Sequence, residues 1–313
     1  MNYFQYLFTL TLIIASVFQT TRIETKPGGL APIVHDVWKH VKNGPDRQYA
    51  FAFAIGKFGY VGGGFVGPMR DLWKYDSGSN KWSKAADIGG GPTMGAGAVA
   101  IGANGYLLMG NSREFWEYIP ASDSWKRRAD FPGTPRNFPV AFTLDKCGYF
   151  VGGLNKQADL SDCWEYDPVR DTWLRKASLP GPGRRLAAGF ALHGKGYAGT
   201  GMSGSRNLAD FYVYDPAADR WKRIADYPGG GCRGAFGASD ASCGFCGLGF
   251  DGRTIRKDWW RFDDVGNSWR RQADFPAAPR SGGVAFVIGK DIYIGSGLAT
   301  GSSLQPDYWR YTE

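Results

Sequence analysis

Histidine is scarce in this chain. Three histidines occur in 313 residues, at His35, His40 and His193. Metal centres and nucleophile–histidine–acid triads need histidines placed beside other reactive groups. Two of these histidines lie near the start of the chain and the third lies at a turn. The sequence therefore predicts no metal site, no cofactor and no such triad.

Cysteine is also sparse, and its positions do not indicate a disulfide framework. Cys163 and Cys246 occupy repeat positions that are apolar in the other copies, so we expect both to be buried. The C-x-x-C run from Cys243 to Cys246 crosses a hairpin into a strand, whereas redox-active motifs of this kind lead from a strand into a helix. The odd total of five predicts at least one free or intermolecular thiol.

Long apolar segments are missing except at the start. Residues 3–18 (YFQYLFTLTLIIASVF) carry no charge, but they are shorter than the roughly 20 residues that span a bilayer. We interpret residues 1–20 as a secretory signal peptide and residues 21–35 as a linker, with an uncleaved anchor as the alternative. The chain is therefore expected outside the cytoplasm, either periplasmic or secreted.

One pattern dominates the remaining sequence: two aromatic residues nine positions apart. The pairs are Trp73/Trp82, Trp116/Trp125, Trp164/Trp173, Tyr212/Trp221 and Trp260/Trp269. The copies recur every 43–48 residues, and a Gly-aromatic segment precedes each pair. In the third copy, four strand-like runs are NFPVAFTL, GYFVGG, DCWEYD and TWLRKA. Four antiparallel strands in a period of this length are typical of one blade of a β-propeller.

The double glycine, the acidic–x–aromatic–x–aromatic strand and the tryptophan nine residues later resemble kelch repeats. The resemblance covers about residues 36–313 and implies an all-β, six-bladed kelch-type propeller of four-stranded antiparallel blades. The sixth copy ends at DYWRYTE, after its third strand, whereas residues 36–43 (DVWKHVKN) have the tryptophan and basic residues of an isolated fourth strand. We therefore expect this N-terminal outer strand to close the ring and remove two open edges.

The formal net charge of +8 does not by itself indicate a nucleic-acid partner. Twelve of the 37 Lys and Arg residues lie in the four positions that follow the fourth-strand tryptophans. Basic side chains on an exposed edge strand oppose edge-to-edge pairing between molecules. We interpret this part of the charge as structural and expect no nucleic-acid binding.

The loops between the second and third strands of each copy vary in length, and repeat arrays usually place their binding residues in such loops. These loops carry seven basic residues, Arg70, Arg113, Lys156, Arg206, Arg253, Arg256 and Lys257, and two acidic residues, Asp159 and Asp251. The face that they form is predicted to bind a ligand that is anionic or rich in hydroxyl groups. We expect these loop arginines to be less completely paired than the arginines that begin the strands.

A second basic set begins the first strand in four copies: Arg47, Arg136, Arg184 and Arg280. Guanidinium groups around a central opening could clamp a carboxylate. The kelch resemblance implies such a role, because some kelch adaptors bind acidic peptides with arginines at this position. The alternative is structural pairing, within or between blades, with acids two residues before the third-strand aromatic. These acids are Asp71, Glu114, Asp162, Asp210, Asp258 and Asp307.

Two functions from different classes remain. The first is an exported, non-enzymatic binding module that holds an acidic glycan or an acidic protein segment. The alternative follows from a resemblance to exported bacterial kelch propellers that mutarotate sialic acid, which need a general base. That family's catalytic Glu has no clear counterpart here, so Asp251 or Asp159 would have to substitute. The more distant likeness to galactose oxidase implies copper held by two His and two Tyr, a set that this sequence does not supply.

Overall fold

Each copy of the repeat forms four short antiparallel strands, because apolar residues alternate over about five residues before a turn. In the first copy, Phe51 and Phe53 are buried, and Gly56 begins the turn with a left-handed φ of 57°. The computed structural model describes residues 37–65, 67 and 69–313. The predicted signal peptide (residues 1–20) and the predicted linker (residues 21–35) lie outside the described residues.

The strands form six four-stranded antiparallel sheets, one for each blade. Numbered in chain order, blade 1 contains β2 (Phe51–Ile55), β3 (Phe58–Gly62), β4 (Leu72–Asp76) and β5 (Lys81–Ala85). Blade 2 contains β6 (Gly97–Ile101), β7 (Asn104–Leu108), β8 (Phe115–Ile119) and β9 (Ser124–Arg127). Blade 3 contains β10 (Val140–Leu144), β11 (Cys147–Leu154), β12 (Asp159–Asp167) and β13 (Thr172–Lys176).

Blade 4 contains β14 (Ala188–Leu192), β15 (Lys195–Gly199), β18 (Phe211–Asp215) and β19 (Arg220–Ile224). Blade 5 contains β20 (Phe236–Ser239), β21 (Gly244–Gly247), β22 (Trp259–Asp263) and β23 (Ser268–Arg271). Blade 6 contains β25 (Val284–Ile288), β26 (Asp291–Gly295), β28 (Tyr308–Thr312) and, as its outer strand, β1 (Val37–Val41). The predicted all-β, six-bladed propeller is confirmed.

The ring closes between the two ends of the described chain. Strand β1 pairs antiparallel with β28, from Val37 opposite Thr312 to Val41 opposite Tyr308. The prediction that an N-terminal strand completes the sixth blade is therefore confirmed. This pairing gives the last blade the same four strands as the others, so no blade is left with an exposed third strand.

The recurring fourth-strand tryptophan links each blade to its neighbour. In every blade its indole Nε1 donates to a backbone carbonyl of the preceding blade, over 2.8–3.1 Å. The donors are Trp38, Trp82, Trp125, Trp173, Trp221 and Trp269, and the acceptors are the carbonyls of Ala273, Lys42, Ala86, Ala129, Ala177 and Ala225. The repeated tryptophan therefore stabilises the ring rather than a binding site.

The segments between the second and third strands are more regular than the sequence indicates. In blade 3, β11 and β12 extend as a hairpin across a register shift near Gly153, which leaves only residues 155–158 as a loop. In blade 4, β16 (Met202–Ser203) pairs with β17 (Arg206–Asn207). In blade 6, β24 (Arg280–Ser281) pairs with β27 (Leu298–Ala299), which a 3₁₀ turn at Thr300–Ser302 follows. These loops are thus shaped by backbone pairing.

The cysteines are reduced and partly or fully buried. Cys163 and Cys246 are fully buried, which confirms the expectation from their repeat positions. Each of the five cysteines is a free thiol. Across residues 37–65, 67 and 69–313, no helix is long and apolar enough to cross a membrane.

Candidate functional site

The four arginines that begin the first strands are buried and paired within their own blades. The pairs are Arg47–Asp71, Arg136–Asp162, Arg184–Asp210 and Arg280–Asp307, with N···O distances of 2.7, 2.6, 2.9 and 2.9 Å. The arginine side chains are 0–4% exposed. Of the two alternatives left open by the sequence, this geometry corresponds to structural pairing, because it leaves little guanidinium surface for a ligand.

These pairs hold the carboxyl pKa values down even though the carboxyl groups are partly buried. Burial raises the pKa of Asp162, but the hydrogen bonds and the charge of Arg136 outweigh it, so the pKa lies below its usual value. Trp164 Nε1 adds a hydrogen bond of 2.7 Å to Asp162 Oδ2. The acidic–x–Trp pattern in the sequence is therefore an arginine–carboxylate–indole network.

Blade 5 departs from this arrangement. Cys232 replaces the arginine, and Arg256 from the loop pairs instead with Asp258, at 2.9 Å between Nε and Oδ1 and 3.1 Å between Nη2 and Oδ2. Arg256 also donates to the carbonyl of Gly229. The expectation that loop arginines are sparsely paired is thus wrong for Arg256, because it supplies the cation that the strand lacks.

The other predicted loop cations are exposed. Arg70 lies 3.4 Å from Asp87. Five more form no ion pair within the described part of the chain: Arg113, Lys156, Arg206, Arg253 and Lys257. They come from the loops of four different blades, and of these five only Arg113 lines one of the cavities described below. The structure therefore spreads these charges over the loop face instead of gathering them at one point.

The two weak catalytic candidates hold loops in place. Asp159 binds Arg185 at 2.5 Å and accepts the backbone N–H of Gly204 at 2.7 Å. Asp251 accepts the backbone N–H groups of Arg253 and Thr254, each at 2.8 Å. Burial raises the pKa of Asp251, but these backbone hydrogen bonds, the Thr254 hydroxyl and the charge of Arg256 together outweigh it and lower the pKa. Both carboxylates therefore act as structural acceptors in this geometry.

A circle of left-handed residues surrounds the central opening on the loop face. One residue from each blade has φ between 52° and 64°: Tyr49, Gly95, Phe138, Leu186, Gly234 and Gly282. Among these described residues, five of the six steps carry a backbone N–H···O bond of 2.6–3.0 Å to the preceding blade. The circle thus satisfies its own backbone polar groups and holds the opening rigid.

Glycines in this circle make room for two aromatic rings. A Cβ on Gly95 would lie 2.6 Å from the Phe138 ring, and a Cβ on Gly282 would lie 2.9 Å from the Tyr49 ring. The rings of Tyr49 and Phe138 meet edge to face with centroids 4.9 Å apart. They therefore form a partial aromatic cover over the channel.

Two adjacent cavities lie at this opening, which we call the mouth. The first, about 180 Å³, is lined by the six circle residues and their neighbours. The second, about 200 Å³, lies to one side between Gln48, Arg233, Phe250, Ile255 and Leu298. The two share Tyr49, Leu186, Gly234 and Gly282, so the mouth is one composite depression. The first cavity exposes mainly polar surface, although its lining side chains are nearly all small or apolar, and the second cavity exposes mainly apolar surface.

Arg233 is the cation of the mouth. Its guanidinium carbon lies 4.6 Å from the centroid of the Phe250 ring, and its Nη1 donates to Asn207 Oδ1 at 3.3 Å. Among the described residues, no carboxylate lies within 4.0 Å of it. Burial raises the pKa of the Tyr49 hydroxyl, and the charge of Arg233 opposes the rise only in part. The mouth thus offers a positive charge beside a neutral phenol.

Sequence reasoning did not place Arg233 among the site residues. It follows Cys232, the one cysteine at the position of a strand arginine, and successive residues of an extended chain point to opposite sides. The arginine therefore faces the mouth, whereas the cysteine faces the interior. The signal in the sequence was this one-residue displacement of an arginine from its repeat position.

The two described histidines lie away from the mouth. His193 Nδ1 contacts Asp264 at 2.9 Å, away from the mouth, and its Nε2 faces the carbonyl of Ala241 at 3.2 Å. His40 contacts Asn43 on the outer strand of blade 6. Within the described ranges, no three His, Cys, Asp or Glu side chains are grouped as metal ligands would be.

Comparison with known proteins supports the fold and no finer assignment. No family model and no curated protein matches the chain. Among solved structures, the one described as "Structure of YjhT" superposes with a TM-score of 0.75 and 16% sequence identity, over 86% of this chain and 95% of that chain. At this identity the likeness shows a shared propeller fold, and the kelch resemblance stays a prediction.

Proposed function

We propose that this propeller is a non-enzymatic binding module that holds an acidic ligand by its carboxylate at the mouth. The observation that carries the proposal is Arg233, an arginine beside a cavity that has no carboxylate partner, while four other arginines at strand starts are fully paired. A guanidinium matches the planar geometry of a carboxylate. A bound carboxylate would supply the partner that Arg233 lacks.

The mouth suits one end group rather than a large molecule. Its two cavities, about 180 and about 200 Å³, are each smaller than the roughly 300–1,000 Å³ of drug-sized ligand sites. Gln48 and Ser281 offer polar groups beside Arg233, and Tyr49, Phe250 and Leu298 offer apolar surface. A terminal sugar acid of a glycan fits this combination, and an acidic side chain of a protein segment is the other ligand that the charge allows.

The exposed cations around the mouth would strengthen binding at a distance. Arg253 and Lys257 belong to the blade 5 loop that supplies Phe250 and Ile255 to the Arg233 cavity, and Arg206 precedes Asn207, the hydrogen-bond partner of Arg233. Exposed charges attract an anion over about 8–10 Å at ordinary ionic strength. We expect them to affect the association rate and the salt dependence more than the final contacts. The expected location, outside the cytoplasm, would expose this face to glycans and to other proteins.

The alternative function, a sugar-acid mutarotase, stays a prediction. It needs a carboxylate or another base free to accept a proton at the anomeric centre. Asp159 and Asp251 both hold backbone or arginine partners. Exchange between the anomers of N-acetylneuraminate, followed by NMR with and without the protein, would test this alternative directly.

Calorimetric titration tests the proposed binding. The ligands are glucuronate, N-acetylneuraminate, glucose as the neutral control and a hexapeptide of glutamates. Glucuronate or N-acetylneuraminate should bind, glucose should not, and Arg233→Gln should weaken binding by about tenfold or more, since a hydrogen bond to a charged group contributes about 1.5–3 kcal/mol. The matched control is Arg253→Gln, which removes an equal charge from an exposed loop. Equal binding by wild type and Arg233→Gln would contradict the proposal.

A further inference from the structure

A groove on the rim of blade 3 contains two further arginines without acidic partners. It has a volume of about 470 Å³ and lies away from the mouth, between the loop of blade 2 and blade 3. Arg113 and Arg175 line it, together with Trp164 and the side chains of Thr134, Ser161 and Ser178. Both arginines are exposed, and in the described part of the chain neither forms an ion pair.

Arg175 lacks a partner because blade 3 breaks a rule that the other blades follow. The basic residue two positions after the fourth-strand tryptophan pairs with the residue three positions later. The pairs are Lys84–Asp87, Arg127–Asp130, Arg223–Asp226 and Arg271–Asp274, at 3.2, 2.8, 2.8 and 2.7 Å. In blade 6, His40 contacts Asn43 at 3.0 Å in the same way. In blade 3 the position of the aspartate is occupied by Ser178, so the guanidinium of Arg175 has no acid three residues later to pair with.

The carboxylates that line the groove do not neutralise these two arginines, because each is already paired. Asp162 Oδ1 lies 2.6 Å from Arg136 Nη1. Asp159 Oδ1 lies 2.5 Å from Arg185 Nη1. With both acids balanced, Arg113 and Arg175 are the excess charge of the groove.

The walls of the groove are held in place before any ligand binds. Trp164 lies opposite Arg175 on the neighbouring strand, and its ring packs edge to face on Phe131 with centroids 5.5 Å apart. Asn155 Oδ1 accepts the backbone N–H groups of Gln157 and Ala158 at 2.8 and 2.7 Å, which fixes the tip of the blade 3 hairpin. A rigid site loses little conformational entropy when a ligand binds.

We propose that this groove binds an acidic sugar unit within a glycan chain, through Arg113 and Arg175. An indole ring, three hydroxyl side chains and two guanidinium groups together match a sugar ring that carries a carboxylate or a sulfate. An acidic peptide would use the charges but leave the hydroxyl groups without matched partners. The groove is separate from the mouth, so the inference does not depend on the function proposed for Arg233.

Restoring the aspartate that four other blades have at this position tests the proposal. Ser178→Asp gives blade 3 the acid that the other blades have, and it should pair with Arg175 without disturbing the fold. Ser83→Asp, on the exposed outer strand of blade 1, adds the same charge far from the groove and is the matched control. The probes are a galacturonate tetramer, a heparin-derived tetrasaccharide, a neutral cellotetraose and a hexapeptide of glutamates.

We expect Ser178→Asp and Arg113→Gln each to weaken binding of an acidic tetrasaccharide by about tenfold, since one charge-assisted hydrogen bond contributes about 1.5–3 kcal/mol. Ser83→Asp should stay within about twofold of wild type, because a remote exposed charge has little effect. Thermal melting of Ser178→Asp should not fall below that of Ser83→Asp, which checks that the fold is intact.

Four results would overturn the proposal. The first is the absence of binding of either acidic tetrasaccharide by wild type, and the second is equal binding by Ser178→Asp and Ser83→Asp. The third is tighter binding of the glutamate hexapeptide than of both tetrasaccharides, with the same loss in Ser178→Asp, which would assign the groove to a peptide. The fourth is loss of tetrasaccharide binding in Arg233→Gln but not in the groove variants, which would place the ligand at the mouth. Loss of tetrasaccharide binding in the groove variants alone supports the groove proposal and leaves the mouth to its own test with glucuronate and N-acetylneuraminate.

Discussion

Arg136 and Arg233 lie just before the first strands of blades 3 and 5, yet the fold uses them in opposite ways. Arg136 is 1% exposed and binds both oxygens of Asp162, at 2.6 and 2.8 Å. Arg233 lies at the mouth against Phe250, with Asn207 as its hydrogen-bond partner. The two sequence positions differ by one residue relative to the repeat, and in an extended chain this shift reverses the direction of the side chain. Register alone does not identify a binding arginine, because Arg185 has the same repeat register as Arg233 and pairs with Asp159 at 2.5 Å. What distinguishes Arg233 is this register together with the lack of a carboxylate partner among the described residues.

Acid should cause the largest loss of stability, through the buried arginine–aspartate pairs. Burial raises the pKa values of Asp71, Asp162, Asp210 and Asp307, but their arginines outweigh it and lower them in the folded state. Their contribution to stability is thus fully present above the unfolded pKa of about 3.9 and is lost as the pH falls through the lower folded values. The urea midpoint should be level from about pH 5 to 7 and fall steeply below about pH 4. A midpoint that does not change down to pH 2 would contradict the role of these pairs.

Removing one member of a single pair is the next largest change. Arg136→Met should lower the free energy of unfolding by about 3 kcal/mol, because Asp162 is left with a charge that is largely buried. Urea denaturation measures the loss. The double variant Arg136→Met/Asp162→Leu should recover part of it, since no unpaired charge remains. A double variant less stable than the single variant would mean that packing, rather than charge, dominates at this position.

Arg256 lies in a loop, but its ion pair gives it a structural role. Sequence reasoning placed it with the loop cations, but it pairs with Asp258, which is 6% exposed. Arg256→Gln should therefore cost about 2 kcal/mol of unfolding free energy, in the range for a hydrogen bond between charged groups. Differential scanning calorimetry would show this as a lower melting temperature. A melting temperature equal to that of Arg253→Gln would place Arg256 among the exposed cations after all.

The exposed loop arginines should give the smallest effect on stability. Arg206→Gln/Arg253→Gln should change the unfolding free energy by less than about 1 kcal/mol, since exposed charges contribute little. The same double variant should slow the association of an anionic ligand at low salt, and the difference should disappear near 0.5 M salt because of screening. Stopped-flow measurements at two salt concentrations would test this. Destabilisation as large as that of Arg136→Met would remove the distinction between the two sets.

The sequence predicts the scaffold well because every blade repeats the same packing. The spacing of Trp116 and Trp125 specifies two adjacent strands, and the isolated strand at residues 36–43 specifies how the ring closes. The sequence did not decide whether Arg136 pairs with an acid of the protein or binds a ligand. The repeat spacing gives the register of a side chain but not its partner. That partner depends on contacts across the blade, such as the bond from Arg136 Nη1 to the carbonyl of Gly152 at 3.0 Å.

The candidate site was harder to predict because it consists of departures from the repeat. Cys232 in place of an arginine moves the pairing task to Arg256 and leaves Arg233 to face the mouth. Ser178 in place of an aspartate frees Arg175 in the same way. Both signals are visible in the alignment of the copies, but their meaning depends on the three-dimensional position of each neighbour. Function in this repeat fold is thus best sought where one copy differs from the others.

A crystal structure of the protein soaked with glucuronate or N-acetylneuraminate tests the central claim most directly. The account predicts carboxylate density about 3 Å from the guanidinium of Arg233, beside Tyr49 and Phe250, with Arg136 still bound to Asp162. Density only at other surface cations, or an empty mouth at ligand concentrations that saturate binding in solution, would contradict the claim that Arg233 is the anion contact of this propeller.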